Sequence, residues 1–409
     1  MAAGSAPRAE AVVAGHICLD VIPRIEERRQ SLEQYLVPGK LNAVGPALSQ
    51  PGGTVPNTGL ALHLLGIRTK LIGKIGRDLF GAEIVQTFRR LGGELADGLI
   101  VSPDEHTSYT LVINPPNVDR IFFHCTGAND TFTADDVRED ELAGARLFHF
   151  GYPPLMRRMY EDGGRELARL LAKAKRLGLT VSLDMARPDP ESPAGRADWR
   201  AILAAALLHV DLFLPSFEEI LYMLRPDVYR ELAREEGTED LLRRADGPLL
   251  AELAEELIRM GAAAAAIKLG HYGLYLRTTA DPARMKAMGA CAPSGALLDN
   301  WLDRELLAPC FAVEEKGTTG AGDATIAGFL AAVLKGLAVE EAMRAAVAAG
   351  ACRVERPDPV GGIPSWDGLM KRIGAGWARR GAGMPLPGWR YDERGQIWEG
   401  PGKADRMRS

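Results

Sequence analysis

The chain has 409 residues, 46% of them hydrophobic and 25% charged. Those are globular values, sufficient for one large α/β domain or two ordinary ones, and they exclude disorder as the default. The 49 basic and 54 acidic residues give a formal net charge of -5. Without a concentrated basic face, nothing favours nucleic acid.

Ala11-Val12-Val13-Ala14-Gly15 reads as a buried strand. The stretch from Asp20 to Gly52 is long, with a turn at Pro38-Gly39. Asn57 to Leu65 reads as a helix. Leu60 and Leu64 sit four apart, as do Ala61 and Leu65, and Gly66 supplies the stop. Thr69 to Ile72 is the next strand. Gly81 to Leu91 places Ile84, Phe88 and Leu91 on one helical face, stopped by Gly92. Tyr109 to Ile113 and Arg120 to His124 read as two strands joined by Asn114-Pro115-Pro116-Asn117. Together with the Asp20–Gly52 stretch they predict a small β lid beside the main sheet, built from about 20–52 and 105–127. Arg165 to Leu177 turns Leu167, Leu170, Leu171 and Ala174 inward, with Gly178 as the stop. Thr180 to Leu183, Leu212 to Leu214 and Ala265 to Leu269 are further strands. Residues 189–196 and 225–247 read as surface insertions. Alternating helices and strands predict a mostly parallel sheet covered on both faces. The tail, 375–409, is rich in Gly, Pro and Arg but keeps Trp377, Trp389 and Trp398, so it is expected to pack on the domain occupying 1–374.

The mixed-sign runs Glu26-Glu27-Arg28-Arg29 and Arg234-Glu235-Glu236 read as solvated helix faces. Five scattered cysteines (Cys18, Cys125, Cys291, Cys310, Cys352) form no Cys-x-x-Cys pair. That argues against zinc or a disulfide framework and fits a reducing cytoplasm. The run Ala11 to Ala14 is strand-sized, not the core of a signal peptide. No apolar stretch reaches the ~20 residues of a membrane span.

Three segments carry chemistry. Gly317-Thr318-Thr319-Gly320-Ala321-Gly322-Asp323 opens a helix running to about Lys335. Small residues there uncover backbone N–H groups at the positive end of the helix dipole, where an anion such as a phosphoryl group is held. Asp323 puts a carboxylate beside that anion, able to take a proton from a substrate hydroxyl. The competing reading is a plain N-cap, at about even odds for this segment alone. Gly52-Gly53-Thr54-Val55-Pro56-Asn57 lets backbone approach a ligand, with Asn57 offering donor and acceptor; by itself it is better read as a capping turn. Gly15-His16-Ile17-Cys18-Leu19-Asp20 ends a strand in an acid, suited to sugar hydroxyls or simply solvated. His149 and Asp184 also follow strands, the former better read as structural, the latter either as a metal helper or as a solvated or capping acid.

In this order the segments resemble the ribokinase-like (PfkB-type) carbohydrate kinases, from about Val12 to Asp367. The glycine–asparagine helix start continues through Leu64-Leu65-Gly66 into Gly73-Lys74-Ile75-Gly76-Arg77-Asp78-Leu79-Phe80-Gly81, matching one family signature. Thr319-Gly320-Ala321-Gly322-Asp323-Ala324 matches the other. No Walker loop or Gly-x-Gly-x-x-Gly is present. The resemblance implies a three-layer α/β/α sandwich plus the β lid, and transfer of the γ-phosphoryl group of Mg-ATP to a primary hydroxyl of a sugar or sugar acid. It implies Asp323 as base and Gly320, Ala321 and Gly322 as the anion hole. It implies Asp20, Gly52, Gly53 and Asn57 as the sugar site, and Lys268, Gly270, Gly273 and Thr319 as ATP contacts. Glu219, in Ser216-Phe217-Glu218-Glu219, would help place Mg2+ indirectly; Ser216 replaces the usual Asn. Gly317 replaces an acid of the usual monovalent-cation site, so weak or absent potassium dependence is expected. Lys268 stands where Thr is common. A homodimer through the lid and a cytoplasmic location are expected, with no nucleic acid or membrane partner. A nucleoside or cyclitol kinase of the same fold, or a non-catalytic sugar- or nucleotide-binding protein, are the alternatives. The retained Gly320-Ala321-Gly322-Asp323 argues against the last of these.

Overall fold

Strand runs that are apolar at every position need cover on both faces, and the architecture follows from that requirement. The computed structural model describes residues 8–26, 31–116, 121–236, 241–356 and 361–401. The expectations that fall on Glu27, Arg28, Arg29, Asn117, Arg120, residues 237–240 and residues 402–409 lie outside these, as do those on the side chains of Glu235 and Glu236.

In chain order the strands are β1 (Ala11–Gly15), β2 (Cys18–Pro23), β3 (Ala47–Gly52), β4 (Thr69–Ile72), β5 (Lys74–Gly76), β6 (Ile100–Ser102), β7 (Tyr109–Ile113), β8 (Ile121–Cys125), β9 (Leu147–Gly151), β10 (Thr180–Leu183), β11 (Leu212–Phe213), β12 (Ala264–Lys268), β13 (Leu274–Thr278), β14 (Glu305–Ala308), β15 (Arg390–Asp392) and β16 (Ile397–Glu399). A ten-stranded sheet runs β15-β16-β14-β13-β12-β11-β10-β9-β1-β4. From β4 to β12 every pair is parallel. The remaining pairs are antiparallel.

Successive residues of a strand point to opposite faces, so each strand feeds two cores. Val13, Leu147, Ala264 and Ala266 join a core with the helices Thr54–Leu64, Ala321–Leu334 and Val339–Val354. Val12, Phe148, Phe150 and Ile267 join a second core with Arg165–Arg176, Trp199–Ala206, Phe217–Leu224 and Gly247–Arg259. The result is the expected three-layer α/β/α sandwich. The Ala321–Leu334 helix is buried on nearly all sides. Its Gly328 admits the Ala345 carbonyl, which a Cβ would meet at 2.5 Å.

Leu167, Leu170, Leu171 and Ala174 are buried as their spacing predicts. Gly66, Gly178 and Gly336 end their helices with positive φ. Two details differ. Gly92 ends its helix in extended backbone, and Leu91 is exposed because Leu95 of the following turn enters the core instead. The expected insertion at 225–247 contains a helix, Pro226–Glu236, and buries Tyr229 and Leu241.

A second sheet, β3-β2-β7-β8, stands apart from the large one. Across it Asp20 pairs with Thr110 and Thr110 with His124, so these three share a face. The neighbouring row, Val21, Leu111 and Phe123, points to the other face. The segment after Gly374 packs against the domain. Trp377 stacks on Phe311, Trp389 is buried near Tyr275, and β16 pairs with β14.

Asp211, fully buried ahead of β11, ties the second layer together. It accepts from Lys175 Nζ (2.8 and 2.7 Å), Arg284 Nη1 (2.9 Å) and the Val181 amide (2.8 Å). Burial raises its proton affinity, and the two cations oppose that. Asp211→Ala would strand both cations, and a loss of about 3 kcal/mol in urea unfolding is expected.

Candidate active site

The order of the parallel strands reverses around β1, which has β4 on one side and β9 on the other. Such a reversal opens a crevice beyond the carboxyl ends of the strands. The residues directly following those ends are His16 after β1, Tyr152 after β9 and Asp184 after β10; Lys268 closes β12. They converge on the start of the Ala321–Leu334 helix.

Asp323 lies in the first turn of that helix and is buried. Its carboxylate accepts from Asn57 Nδ2 (3.2 Å), Thr58 Oγ1 (3.2 Å) and the Tyr152 hydroxyl, which lies 2.9 Å from both oxygens. A helix N-terminus would be expected to keep an acid charged. Here burial outweighs that effect and raises the proton affinity, while Lys268 and the three donors pull it back. Asp323 is not the N-cap: that position is Gly320, at φ 77°. The Ala321 amide is committed to the Thr318 carbonyl at 3.1 Å. The first-turn donors aimed along the axis are therefore those of Gly322 and Asp323.

Lys268 is the electrostatic centre. Its Nζ is 2.5 Å from Asp184 Oδ1 and acts as well on Glu219 and Asp323. Asp184 and Asp323 are buried, and Lys268 and Glu219 are partly so. Burial raises Asp184 and Glu219, and the ammonium opposes it in both. One ammonium cannot neutralise three carboxylates, so a further cation would favour their charged forms. Asp184 Oδ2 is buried with no hydrogen-bond partner. Glu219 Oε2 accepts from the Ser216 amide at 2.7 Å, so part of its role is to cap the Phe217–Leu224 helix.

On one side of Asp323 lies a cleft of about 390 Å³, lined by Lys268, Gly270, Gly273, Phe311, Ala321 and Gly322 among others. Thr318 lines it; Thr319, named beside these residues from sequence, does not. Gly273, at φ 114°, lets the Ala308 carbonyl pass where a Cβ would sit 2.0 Å away. On the other side are Asn57 and the small sheet. Asn57 Oδ1 and His16 Nδ1 are both buried without partners. His16 Nε2 lies 3.4 Å from His124 Nε2; burial holds the His16 ring well toward the neutral form, and the more exposed His124 is shifted in the same direction. Asp20 lies on Gly52, its proton affinity raised by burial. The structure thus brings Asp20, Gly52, Gly53 and Asn57 to one side of Asp323, and Lys268, Gly270, Gly273 and Gly322 to the other.

Sequence reasoning missed Tyr152, Thr58, His16 and His124, and left Asp184 open. Their signal was position: three of the five directly follow a parallel strand. Tyr152 is also left-handed (φ 65°), a strained state for a bulky residue that cannot be read from sequence. His149 is structural: buried between Ser182 and Thr54, it has its pKa lowered to about 3 by burial. Asp78 of the Gly73–Gly81 motif caps a helix and accepts from Thr107 Oγ1 (2.6 Å), anchoring the approach to β7. A wider depression, about 520 Å³, lies beside Arg77, Arg89 and Arg90, and none of the residues around Asp323 lines it.

Residues 8–366 match the model of the pfkB family carbohydrate kinases. A 2-dehydro-3-deoxygluconokinase of Bacillus subtilis (strain 168) is 24% identical over 353 residues, covering 82% of this chain and 90% of the relative. A fructokinase of Solanum tuberosum is 26% identical over 209 residues, half of this chain and 60% of the relative. Among solved structures, fructokinase with bound ATP from Xylella fastidiosa superposes with a TM-score of 0.65 at 16% identity, covering 90% and 99% of the two chains. Arabidopsis thaliana ribokinase complexed with ribose and ATP gives 0.64 at 18% identity, covering 89% and 98%.

The paired glycines are expected to respond differently to a methyl group. At Gly53 (φ 94°) a Cβ would lie 2.5 Å from His16 Nδ1 and 2.6 Å from the His16 carbonyl. Gly53→Ala should therefore lose about 1–3 kcal/mol. At Gly52 the Cβ would meet only the end of the Asp20 side chain, at 2.3 Å. Gly52→Ala should melt near the wild-type temperature while displacing the Asp20 carboxylate. Equal thermal losses in the two variants would contradict this account.

Proposed function

The chain belongs to the PfkB family of carbohydrate kinases, and from that premise we propose that it transfers the γ-phosphoryl group of ATP to a primary hydroxyl of a sugar or sugar acid, with Asp323 as the base. The observation that carries this reading is the position of Asp323. Its carboxylate lies between a polar recess around Asn57 and a cleft lined by Lys268 and Gly322.

In this reading Asn57, Thr58 and Tyr152 fix the carboxylate toward the recess. A substrate hydroxyl there gives its proton to Asp323 as its oxygen bonds to the γ-phosphorus. The bond from that phosphorus to the β–γ bridging oxygen breaks, and ADP leaves. The burial that raises the proton affinity of Asp323 makes it a stronger base, while Lys268 opposes that rise and favours the charged form. The amides of Gly322 and Asp323, with the helix dipole, stabilise charge on the transferring group. Gly320 sets the turn that aims them. Bound Mg2+ supplies neutralisation of phosphate charge. Among the described residues no three His, Cys, Asp or Glu side chains form a metal site, so the ion would rely on the phosphates, with Asp184 and Glu219 holding it from the protein side. The unpartnered Asp184 Oδ2 and the excess negative charge fit that role.

Asp20, Asn57, Thr110, His16 and His124 offer donors and acceptors without a cationic head group. That suits a polyol better than a sugar phosphate. The β3-β2-β7-β8 sheet serves as the lid, carrying Asp20, Thr110 and His124 on one face. Leu111 and Phe123, exposed on the other, favour pairing of two copies through it. All five cysteines are free thiols. Two named relatives frame the substrate: one is named for a sugar acid, the other for fructose. A coupled assay of ADP release over sugars, sugar acids, nucleosides and cyclitols tests the proposal; turnover with none of them would remove it.

Asp323→Asn should lower turnover by about 10²–10⁴-fold with ATP affinity nearly unchanged. Near-normal turnover would show that another group takes the proton. Tyr152→Phe removes a donor that favours the charged form of Asp323. The acid limb of the kcat/KM profile should therefore move to higher pH, with the largest loss at low pH. An unmoved limb would separate Tyr152 from the titration of the base.

A further inference from the structure

The match to the family ends at residue 366, yet the segment after it returns to the nucleotide cleft. Residues 378–380 run alongside 310–312. The Ala312 amide donates to the Ala378 carbonyl (2.9 Å), the Arg380 amide to the Cys310 carbonyl (2.8 Å), and Phe311 and Arg379 form an antiparallel bridge. Trp377 stacks on Phe311 with centroids 4.3 Å apart, and its indole donates to the Ala312 carbonyl at 3.0 Å. On Phe311 also lies the Arg379 guanidinium, 3.8 Å from the ring centroid. This matters because Cys310, Phe311, Val313 and Glu315 line the cleft. The added segment braces that wall.

It also contributes a side chain. Arg380 itself lines the cleft, held by Glu315 Oε1 at 2.9 Å from Nη2. A guanidinium has five donors, and this pair uses one end of the fork. Lys268, the cation at the phosphoryl end, is drawn toward three carboxylates. The wall beside Arg380 is largely apolar, with Phe311 and Val313, and Val347 and Ala351 line the same cleft. Those surfaces suit a base and ribose.

We infer that Arg380 is a nucleotide-binding residue supplied by the C-terminal segment, contacting the nucleoside portion of the bound nucleotide. The inference rests on the kinase reading of the cleft. Exposed ion pairs of this kind contribute little to stability by themselves, so a purely structural role predicts almost no effect from losing Arg380.

Calorimetric titration of the full chain with ATP, ADP and AMP, without sugar, tests it. Arg380→Ala should weaken all three by a similar factor, about tenfold, as for a lost hydrogen bond from a charged group. The KM for the sugar and turnover at saturating ATP should stay unchanged. Glu315→Gln keeps the guanidinium in the cleft and should lose clearly less nucleotide affinity than Arg380→Ala does. If Arg380→Ala binds as wild type does, or if Glu315→Gln loses as much, the inference is overturned and the pair merely braces the wall. A loss confined to ATP would place the contact at the γ-phosphate and overturn the nucleoside assignment. Wild-type protein that binds none of the three nucleotides would instead overturn the kinase reading of the cleft.

Discussion

One buried ammonium shared among three buried carboxylates sets the terms for the whole site. Lys268 reaches Asp184 directly and lowers the cost of burying Glu219 and Asp323. A carboxylate taken out of water without such a partner would bind a proton and lose its use as a base. Yet the compensation is incomplete: all three acids still hold their protons more tightly than they would in water.

The fold places that cluster by topology. A parallel strand delivers its next residue to the same edge of the sheet, and β1, β9, β10 and β12 deliver His16, Tyr152, Asp184 and Lys268 to one edge. The Ala321–Leu334 helix then brings its amino end to them from the layer above.

That division explains what the sequence made legible. The strands from Ala11 and Thr180, the helix from Arg165 and the helix opening at Gly320 are local patterns, decided within a dozen residues. The family signatures pointed to Asp323, Asn57 and the glycines for the same reason. The partners of Asp323 were less visible, because Tyr152 is 171 residues away and Thr58 is 265. Such contacts are fixed by strand order, which periodicity does not encode. The sign of the Asp323 shift was hidden likewise: a helix start can be read from glycines, but burial comes from elements far along the chain. The tail was legible only as tryptophan-rich, since pairing of β16 with β14 requires knowing which edge is open.

That pairing bears on how the protein is made. A chain emerging from the ribosome forms its earlier elements first. Until residues 397–399 appear, β14 is an unpaired edge of the large sheet, and such edges template aggregation. Until residues 377–380 appear, the wall at Phe311 lacks its brace. The growing chain therefore acquires Asp20, Gly52, Gly53 and Asn57 well before the cleft beside Phe311 is complete. A product cut short after the family domain would carry Asp323 in place but leave a frayed sheet edge, open to capture by chaperones or proteases.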